Sequence, residues 1–311
     1  MALKTLFAYI LALFICCSLS AQPAVLPDSL LAHVRILSSD EYQGRRTQEK
    51  GNLMAGDYLV QRYRSMGLKA FGDSYVRPFS FYNRWMKQAF NGRNIVGYVR
   101  GSAFPGQYIV LSAHYDHLGV KNDRIYNGAD DNASGVGALI ELARYFSRRP
   151  PLHSIIFAAF DAEEMGLKGA QSFLDEPPVP LDNILFNINM DMISRNEKNE
   201  LYICGAKHYP FLRAPLENPA RESRLAIAFG HDEPTATPQD DWTTASDHGC
   251  FHKKGIPFLY FGVEDHADYH KPTDDYERIM PAFYTAAADF ILNCLLVLDK
   301  DWSGIRTGKG K

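Results

Sequence analysis

The chain of 311 residues has few cysteines and no run of basic residues. Two of its five cysteines, Cys16 and Cys17, fall in an N-terminal apolar stretch. The others, Cys204, Cys250 and Cys294, are too scattered for a thiolate metal cluster and allow at most one disulfide within the chain. Lys and Arg number 33 against 36 Asp and Glu, without a basic patch, so we expect no nucleic-acid partner.

Internal repeats, low-complexity linkers and breaks in composition are also missing after residue 21. Residues 1–21 differ from the rest, because Lys4 is their only charge and an apolar run leads to small residues at 18–21. This is the pattern of a secretory signal, with an uncleaved membrane anchor as the alternative. We therefore expect a signal peptide at 1–21, one domain at 22–311, a secreted or periplasmic protein, and no stable membrane partner after cleavage.

Apolar runs alternate with helical patterns along the chain, and 46% of the residues are hydrophobic. Strands are predicted at 108–111, 154–160, 184–190, 201–204 and 256–261. Helices are predicted at 28–36, 52–66, 134–146, 166–174, 211–224 and 281–298. This alternation predicts an α/β fold, a three-layer sandwich with a mixed, largely parallel central sheet flanked by helices. Residues 75–99 suggest an added antiparallel edge.

Histidines and acidic residues follow three of these strands directly. His114 and Asp116 follow the first strand, Glu163 and Glu164 the second, and Asp191 the third. Open α/β sheets build their sites just past the carboxyl ends of strands. Adjacent side chains at a strand end point in different directions, so one glutamate could reach a metal while the other faces a reacting water. Asp191 stands among apolar residues, where a charge needs a partner or a metal.

Each segment also has a purely structural explanation. His114 and Asp116 could form a structural pair, and residues 130–135 (DDNASG) could cap a helix. The adjacent glutamates could be solvated, and His270 alone is typical of a surface loop. Together, however, two histidines and several carboxylates without cysteine form a nitrogen/oxygen site that suits Zn²⁺, with Mn²⁺ or Co²⁺ as substitutes. One carboxylate could bridge two cations roughly 3.5–4 Å apart.

Read in order, these segments resemble the secreted bacterial zinc aminopeptidases, co-catalytic two-zinc exopeptidases related to glutaminyl cyclases and glutamate carboxypeptidases. The resemblance covers residues 36–298, nearly all of the chain after the signal. Its motifs are residues 37–45 (LSSDEYQGR), 131–135 (DNASG), 163–166 (EEMG) and 269–274 (YHKPTD). The resemblance implies the zinc exopeptidase fold, two zinc ions, and a single catalytic domain over 22–311.

The resemblance also implies a role for each candidate residue. It implies five metal ligands: His114 and Asp191 for one zinc, Glu164 and His270 for the other, and Asp131 as the bridge. The bridging role falls on the first residue of the DNASG motif rather than on Asp130. Glu163 is then the general base, Asp116 orients His114, and Tyr269 stabilises the oxyanion.

This site implies hydrolysis of N-terminal residues from peptides with a free N-terminus. Zinc lowers the pKa of a water to roughly 7, and Glu163 takes the proton and passes it to the leaving amine. A glutaminyl cyclase with one zinc is the alternative enzyme. A carboxypeptidase is another and needs a basic group, such as Arg195 or Arg224, for the terminal carboxylate. A peptide-binding module that keeps the fold is the non-enzymatic alternative, against which the intact Glu163 argues.

Several other polar residues lie near these motifs. Residues 246–248 (SDH) contain the three residue types of a catalytic triad, but consecutive residues cannot form its hydrogen-bond relay. In the family that it resembles, a similar Ser-Asp segment lies near the substrate pocket. We expect His117, His248 and His266 to line a pocket or serve the structure, because five ligands already fill the site. Arg45 could steady a pocket loop or form a structural ion pair.

Overall fold

A computed structural model of the protein describes residues 25–233 and 240–305, so the predicted signal peptide lies outside the described residues. The strands are β1 (Val76–Asn83), β2 (Gln88–Val99), β3 (Phe104–His114), β4 (Gly119–Lys121), β5 (Arg124–Tyr126), β6 (His153–Phe160), β7 (Ile184–Met190), β8 (Glu200–Cys204), β9 (Ala226–Phe229) and β10 (Phe258–Gly262). The α-helices are α1 (Pro27–Leu37), α2 (Lys50–Met66), α3 (Gly135–Arg148), α4 (Lys168–Asp175), α5 (Pro210–Arg213), α6 (Glu217–Glu222), α7 (His248–Lys253) and α8 (Pro281–Ile305).

The main sheet contains eight strands in the order β1-β2-β6-β3-β7-β10-β8-β9. Its centre is parallel, because β6, β3, β7 and β10 pair in the same direction. The pairs β1 with β2, β2 with β6, and β8 with β10 are antiparallel. The expected mixed, largely parallel sheet is therefore confirmed, and β1 and β2 form its antiparallel edge.

Helices cover both faces of this sheet. Successive side chains of a strand point to opposite faces, and along β6 the rings and branched chains of Ile155 and Phe157 pack on one face while Ile156 and Phe160 pack on the other. Helices α1, α2, α3 and α8 cover the first face, and α4 and α7 cover the second. Each fully buried side chain of this size contributes roughly 1.5–3 kcal/mol. The three-layer sandwich is thus confirmed.

Local sequence signals account for the ends of the long helices. Helix α2 ends at Gly67, whose φ of 72° lies in the left-handed region that glycine adopts at little cost. Helix α8 begins with Pro281, whose missing N–H is no loss at a first helical position. The stretch Pro281–Trp302 is long and apolar enough to cross a membrane, but 56% of its apolar window is buried inside the protein. Core packing therefore accounts for its hydropathy.

Four parts of the chain differ from the sequence-based expectation. The helix expected at 211–224 is broken into α5, a short 3-10 turn and α6, because Pro215 and Pro219 lack the N–H that a continuous helix needs. The β4–β5 hairpin was missed; its turn residues Asn122 and Asp123 both have positive φ, as a tight hairpin turn requires. Strand β9 and helix α7 were also missed. Cys204, Cys250 and Cys294 are buried and free.

Candidate metal centre

The candidate residues lie just past the carboxyl ends of the central parallel strands. They are His114 at the end of β3, Glu163 and Glu164 after β6, Asp191 after β7, and His270 in the loop after β10. Because these four strands are parallel neighbours, their carboxyl ends meet at one edge of the sheet. This edge is where open α/β sheets place their sites.

Asp131 enters the same region from an irregular turn, Ala129–Ser134, that precedes α3. The carboxylate of Asp274 accepts hydrogen bonds from the backbone N–H of Asp130 at 3.0 Å and from that of Asp131 at 3.1 Å. Asn132 donates from its side-chain nitrogen to the carbonyl oxygen of Met190, 2.9 Å away at the end of β7. The turn is therefore tied to the end of β7 and to the loop after β10, and the Asp131 carboxylate faces the strand ends.

A first group of ligand atoms forms on the β3 and β7 side of Asp131. His114 Nε2 lies 3.4 Å from Asp131 Oδ1 and 3.3 Å from Asp191 Oδ1. All three residues are buried. The hydroxyl of Ser246 donates to the other oxygen of Asp191 at 2.7 Å, which fixes the orientation of that carboxylate.

A second group forms around the other oxygen of Asp131. His270 Nε2 lies 3.1 Å from Asp131 Oδ2 and 3.4 Å from Glu164 Oε2. His117 joins this group, with its Nδ1 2.8 Å from Glu164 Oε1 and 3.6 Å from Asp131 Oδ2. The structure thus brings the five residues expected as ligands together and adds His117, which we expected to line a pocket or serve the structure.

These separations fit bound cations. Two atoms that each lie about 2.0–2.2 Å from one tetrahedral zinc are roughly 3.3 Å apart. The contacts of His114 and His270 with their carboxylate partners span 3.1–3.4 Å. Within the described residues, Glu164 Oε1 and both ring nitrogens of His117 are buried without a hydrogen-bond partner. Buried polar atoms normally have partners, and a cation held here would satisfy atoms that the described residues alone leave unsatisfied.

Neighbouring carboxylates raise the pKa values of two histidines of this cluster, His114 and His270. Burial alone would lower the pKa of His114, but the carboxylates of Asp191 and Glu163 raise it well above its usual range. Burial also lowers the pKa of His270, but its contacts with the carboxylates of Asp131 and Glu164 outweigh this effect and raise the pKa to about 10. Because a histidine binds a metal in its neutral form, metal binding must release these protons.

Asp116 positions the two glutamates. Its carboxylate accepts the backbone N–H of Glu163 at 3.0 Å and that of Glu164 at 3.3 Å. Its relation to His114 differs from the expectation: Nδ1 of His114 is 3.2 Å from the backbone carbonyl oxygen of Asp116 and 3.7 Å from its carboxylate. Asp116 therefore orients His114 mainly through its main chain, and its side chain holds the turn that carries Glu163 and Glu164.

Glu163 and Tyr269 both lie beside the cluster. Burial raises the pKa of Glu163 well above its usual value. His114 lowers this pKa, and the charge of Asp191 raises it further. A carboxyl group with a raised pKa is a better proton acceptor than an ordinary one. The ring of Tyr269 stacks on His270, with centroids 3.9 Å apart, and burial raises the pKa of its hydroxyl. That hydroxyl therefore stays protonated and can donate.

The 246–248 segment contributes Asp247, to which the sequence analysis assigned no individual role. Both carboxylate oxygens of Asp247 are buried without a hydrogen-bond partner among the described residues, and burial raises its pKa to about 8 despite His114. His248 Nε2 lies 2.7 Å from the carbonyl oxygen of Trp242, while Ser246 donates to the Asp191 carboxylate. The three residues therefore form no triad, as expected, but two of them lie against the cluster.

Two further polar residues serve the framework. Arg45 is fully buried and donates to the carbonyl oxygens of Leu37, Tyr115, Asn127 and Gly128. It steadies the loops on either side of the cluster by contacting main chain, which favours the first of its two expected roles. His266 Nε2 lies 3.0 Å from Asp130 Oδ2, and Asp130 also accepts the N–H of Ser194 at 2.8 Å. Asp130 thus faces away from the two ligand groups that share Asp131.

Comparison with known proteins agrees with this geometry. Aminopeptidase YwaD of Bacillus subtilis is 30% identical over 213 residues, which is 64% of this chain and 43% of that protein. The fold is that of an aminopeptidase from Aneurinibacillus sp. strain AM-1, with a TM-score of 0.71, 15% identity, and coverage of 88% of this chain and 93% of the other. It is equally close to a Porphyromonas gingivalis glutaminyl cyclase, with a TM-score of 0.71, 21% identity, and coverage of 88% and 98%.

The chain thus spans less than half the length of the Bacillus subtilis relative that it matches. A sequence model for peptidase family M28 matches residues 94–295, well over half of the chain. This range contains the strand ends and loops that carry all the ligand atoms described above. The protein therefore belongs to peptidase family M28.

Proposed function

We propose that the protein is a two-zinc aminopeptidase that hydrolyses N-terminal residues from peptides. The observation that carries this proposal is the position of Asp131, which directs one carboxylate oxygen to each of two ligand groups. Two cations held this close repel each other, and a shared carboxylate offsets that repulsion. His114 and Asp191 would hold one zinc ion, and Glu164 and His270 the other.

Bound zinc supplies Lewis-acid polarisation of the peptide carbonyl and lowers the pKa of a water to roughly 7. Glu163 takes the proton from that water and delivers it to the leaving amine, a transfer suited to its raised pKa. Asp116 holds Glu163 in place through the backbone N–H. Tyr269, protonated and next to His270, donates to the oxyanion that develops on the carbonyl oxygen.

The charges around the site favour an N-terminal substrate group. A carboxypeptidase needs a free cation for the terminal carboxylate, but Arg195 is paired with Asp268 at 2.6 Å, and both side chains are largely buried. Arg224 is exposed, and no cluster contact involves it. The carboxyl groups of Glu163 and Asp247 lie near His114 and Asp191 of the first ligand group instead. They suit the α-ammonium group of a free N-terminus.

A screen of three peptide sets tests the proposal. We expect release of N-terminal residues from unblocked peptides, no reaction with N-acetylated copies, and loss of activity after chelation that added zinc restores. Glu163→Gln keeps the shape but removes the base, and loss of a general base costs about 10²–10⁴-fold in rate. Full activity in Glu163→Gln, or equal cleavage of the blocked peptides, would sink the proposal.

A glutaminyl cyclase is the second candidate, because the structural likeness to that enzyme equals the likeness to the aminopeptidase. The third peptide set, with N-terminal glutamine, separates the two. A cyclase converts these peptides into pyroglutamyl peptides and ammonia without shortening them, whereas an aminopeptidase releases free glutamine. Metal analysis provides a second criterion: two zinc ions per chain fit the peptidase, and one fits the cyclase.

A further inference from the structure

His117 is the buried histidine of the cluster for which the proposed two-zinc mechanism has no role. It lies three residues after His114, and its ring is 1% exposed. Neither ring nitrogen has a hydrogen-bond partner among the described residues, and the nearest oxygen, Glu164 Oε1, has none either. A buried imidazole with two unsatisfied nitrogens is costly, because the lost hydration is not replaced.

The contact between His117 and Glu164 is close without being a hydrogen bond. Nδ1 lies 2.8 Å from Oε1, yet neither atom satisfies the other, so their bonding directions do not lie along the line that joins them. Nδ1 is also 3.6 Å from Asp131 Oδ2. The ligand atoms of His117, Asp131 and Glu164 all lie within 4.8 Å of one another, as atoms around one cation do.

The position of the ring is set by its surroundings before any metal binds. The backbone N–H of His117 donates to the carbonyl oxygen of Arg45 at 3.3 Å. A Cβ added at Gly128 would come within 2.5 Å of the His117 ring, so the turn at Gly128 closes tightly over one side of it. The ring of His270 lies on another side, with centroids 5.9 Å apart. A ligand held in this way needs little reorganisation to bind a metal.

We propose that His117 is a ligand of the second metal, alongside Asp131, Glu164 and His270. This inference rests on the proposed two-metal site and adds a residue to it. The second metal then has four protein ligands, two of them histidines, whereas the first has three. Zinc with four protein ligands is typical of tightly held sites, and zinc with three keeps a position open for water or substrate. An open position for the water that Glu163 would deprotonate is then left on the first metal, which His114, Asp131 and Asp191 would hold.

The test compares His117→Asn with a matched control, His153→Asn. His153 is also a buried histidine, but it lies at the start of β6, at the opposite end of the sheet, and pairs with Asp299 at 2.8 Å. Zinc content and dissociation constants are measured by competition with a chromophoric chelator. X-ray absorption at the zinc edge of the wild-type protein counts imidazole nitrogens per metal.

We expect three imidazoles for each pair of zinc ions in the wild-type protein, from His114, His117 and His270. His117→Asn should bind the second zinc at least about tenfold more weakly, the lower end of the loss seen when even an outer partner of a ligand is removed. His153→Asn should lose stability but keep both zinc affinities. His270→Asn serves as the positive control for loss of a second-site ligand.

Two imidazoles per zinc pair in the wild-type protein would overturn the assignment, even if the variant fails to fold. Unchanged zinc affinities in a folded His117→Asn protein would overturn it as well, provided that His270→Asn loses affinity. Either result leaves the two-zinc aminopeptidase intact. A wild-type protein that binds fewer than two zinc ions would instead refute the proposed function.

Discussion

Replacement of Asp116 by asparagine is the most direct test of how the centre is held together. Asp116 is fully buried, and its two carboxylate oxygens accept the backbone N–H groups of Glu163 and Glu164. Asparagine keeps one acceptor oxygen but places an NH₂ group against the other N–H. Asp116→Asn therefore breaks one hydrogen bond to the turn that carries a proposed metal ligand and the proposed base.

The size of the effect follows from these contacts. A hydrogen bond to a charged group contributes about 1.5–3 kcal/mol, and the donor left facing another donor adds a desolvation cost. Relief of repulsion offsets part of the loss, because Asp116 raises the pKa values of the neighbouring Asp161 and Asp247 after the larger effect of burial. We expect a net loss of roughly 2 kcal/mol in the free energy of unfolding. Zinc affinity should fall about 10–100-fold, as for other groups that orient metal ligands.

Asp299 offers a matched control. Its carboxylate accepts the backbone N–H groups of Leu152 and His153 at 2.7 and 2.9 Å and also contacts the His153 ring. Its carboxylate thus holds two successive N–H groups, as that of Asp116 does, but at the far end of the sheet. Urea unfolding should show similar losses for Asp116→Asn and Asp299→Asn. Chelator competition should show weakened zinc binding in Asp116→Asn alone.

A folded Asp116→Asn protein that loses stability but keeps wild-type zinc affinity and turnover would contradict the positioning role of Asp116. Asp116 would then be a structural cap with no influence on the cluster. A variant with unchanged stability would refute the hydrogen-bond argument itself.

Three further changes have expected outcomes. Gly128→Ala should lower the free energy of unfolding in urea by on the order of 2 kcal/mol or more and should weaken zinc binding. The reason is that φ at this position is +58° and the new Cβ would press on the His117 ring, so wild-type zinc affinity would contradict this prediction. The pKa of Glu141 is lowered from 4.5 to about 2, because its contacts with His33, Ser29 and Arg144 outweigh burial. Its charge therefore stabilises the fold above pH 4.5 and ceases to do so as pH falls towards 2. The free energy of unfolding of Glu141→Gln should be up to about 3 kcal/mol below the wild-type value at pH 7, and the loss should shrink progressively below pH 4.5. A difference from wild type that stays constant with pH in denaturant titrations would contradict this. Removal of zinc should lower the melting temperature, because a ligand at 100 times its Kd adds about 2.7 kcal/mol, and calorimetry with and without chelator should show the difference.

Much of the architecture could be predicted because it follows from local patterns. The apolar runs at 154–160 and 184–190 coincide closely with β6 and β7, whose residues are buried along their whole length. Prediction failed where two or three residues decide the outcome. Pro215 and Pro219 interrupt a helix whose apolar spacing looked continuous, and the hairpin at Asn122 and Asp123 depends on two positive φ angles that no hydrophobic pattern records.

The amino-acid sequence was enough to indicate the type of centre. The donor types, their order and their positions after strands indicated a nitrogen/oxygen metal site with a neighbouring base, because donor chemistry and strand periodicity are local properties. Local chemistry alone treated Asp130 and Asp131 as near equivalents, and only the resemblance through the DNASG motif assigned the bridge to Asp131. Neither the local chemistry nor the resemblance gave His117 a role as a ligand.

The tertiary structure decided which atoms meet. Asp130 faces Ser194 and His266, while Asp131 lies between His114 and His270, because the order of the strands brings residues more than a hundred positions apart into contact. The closure of the chain at Gly128 fixes the His117 ring against the second ligand group. Contacts over such separations depend on the order of the strands and on packing, which no short segment encodes. They decide which residues join the first ligand group and which join the second.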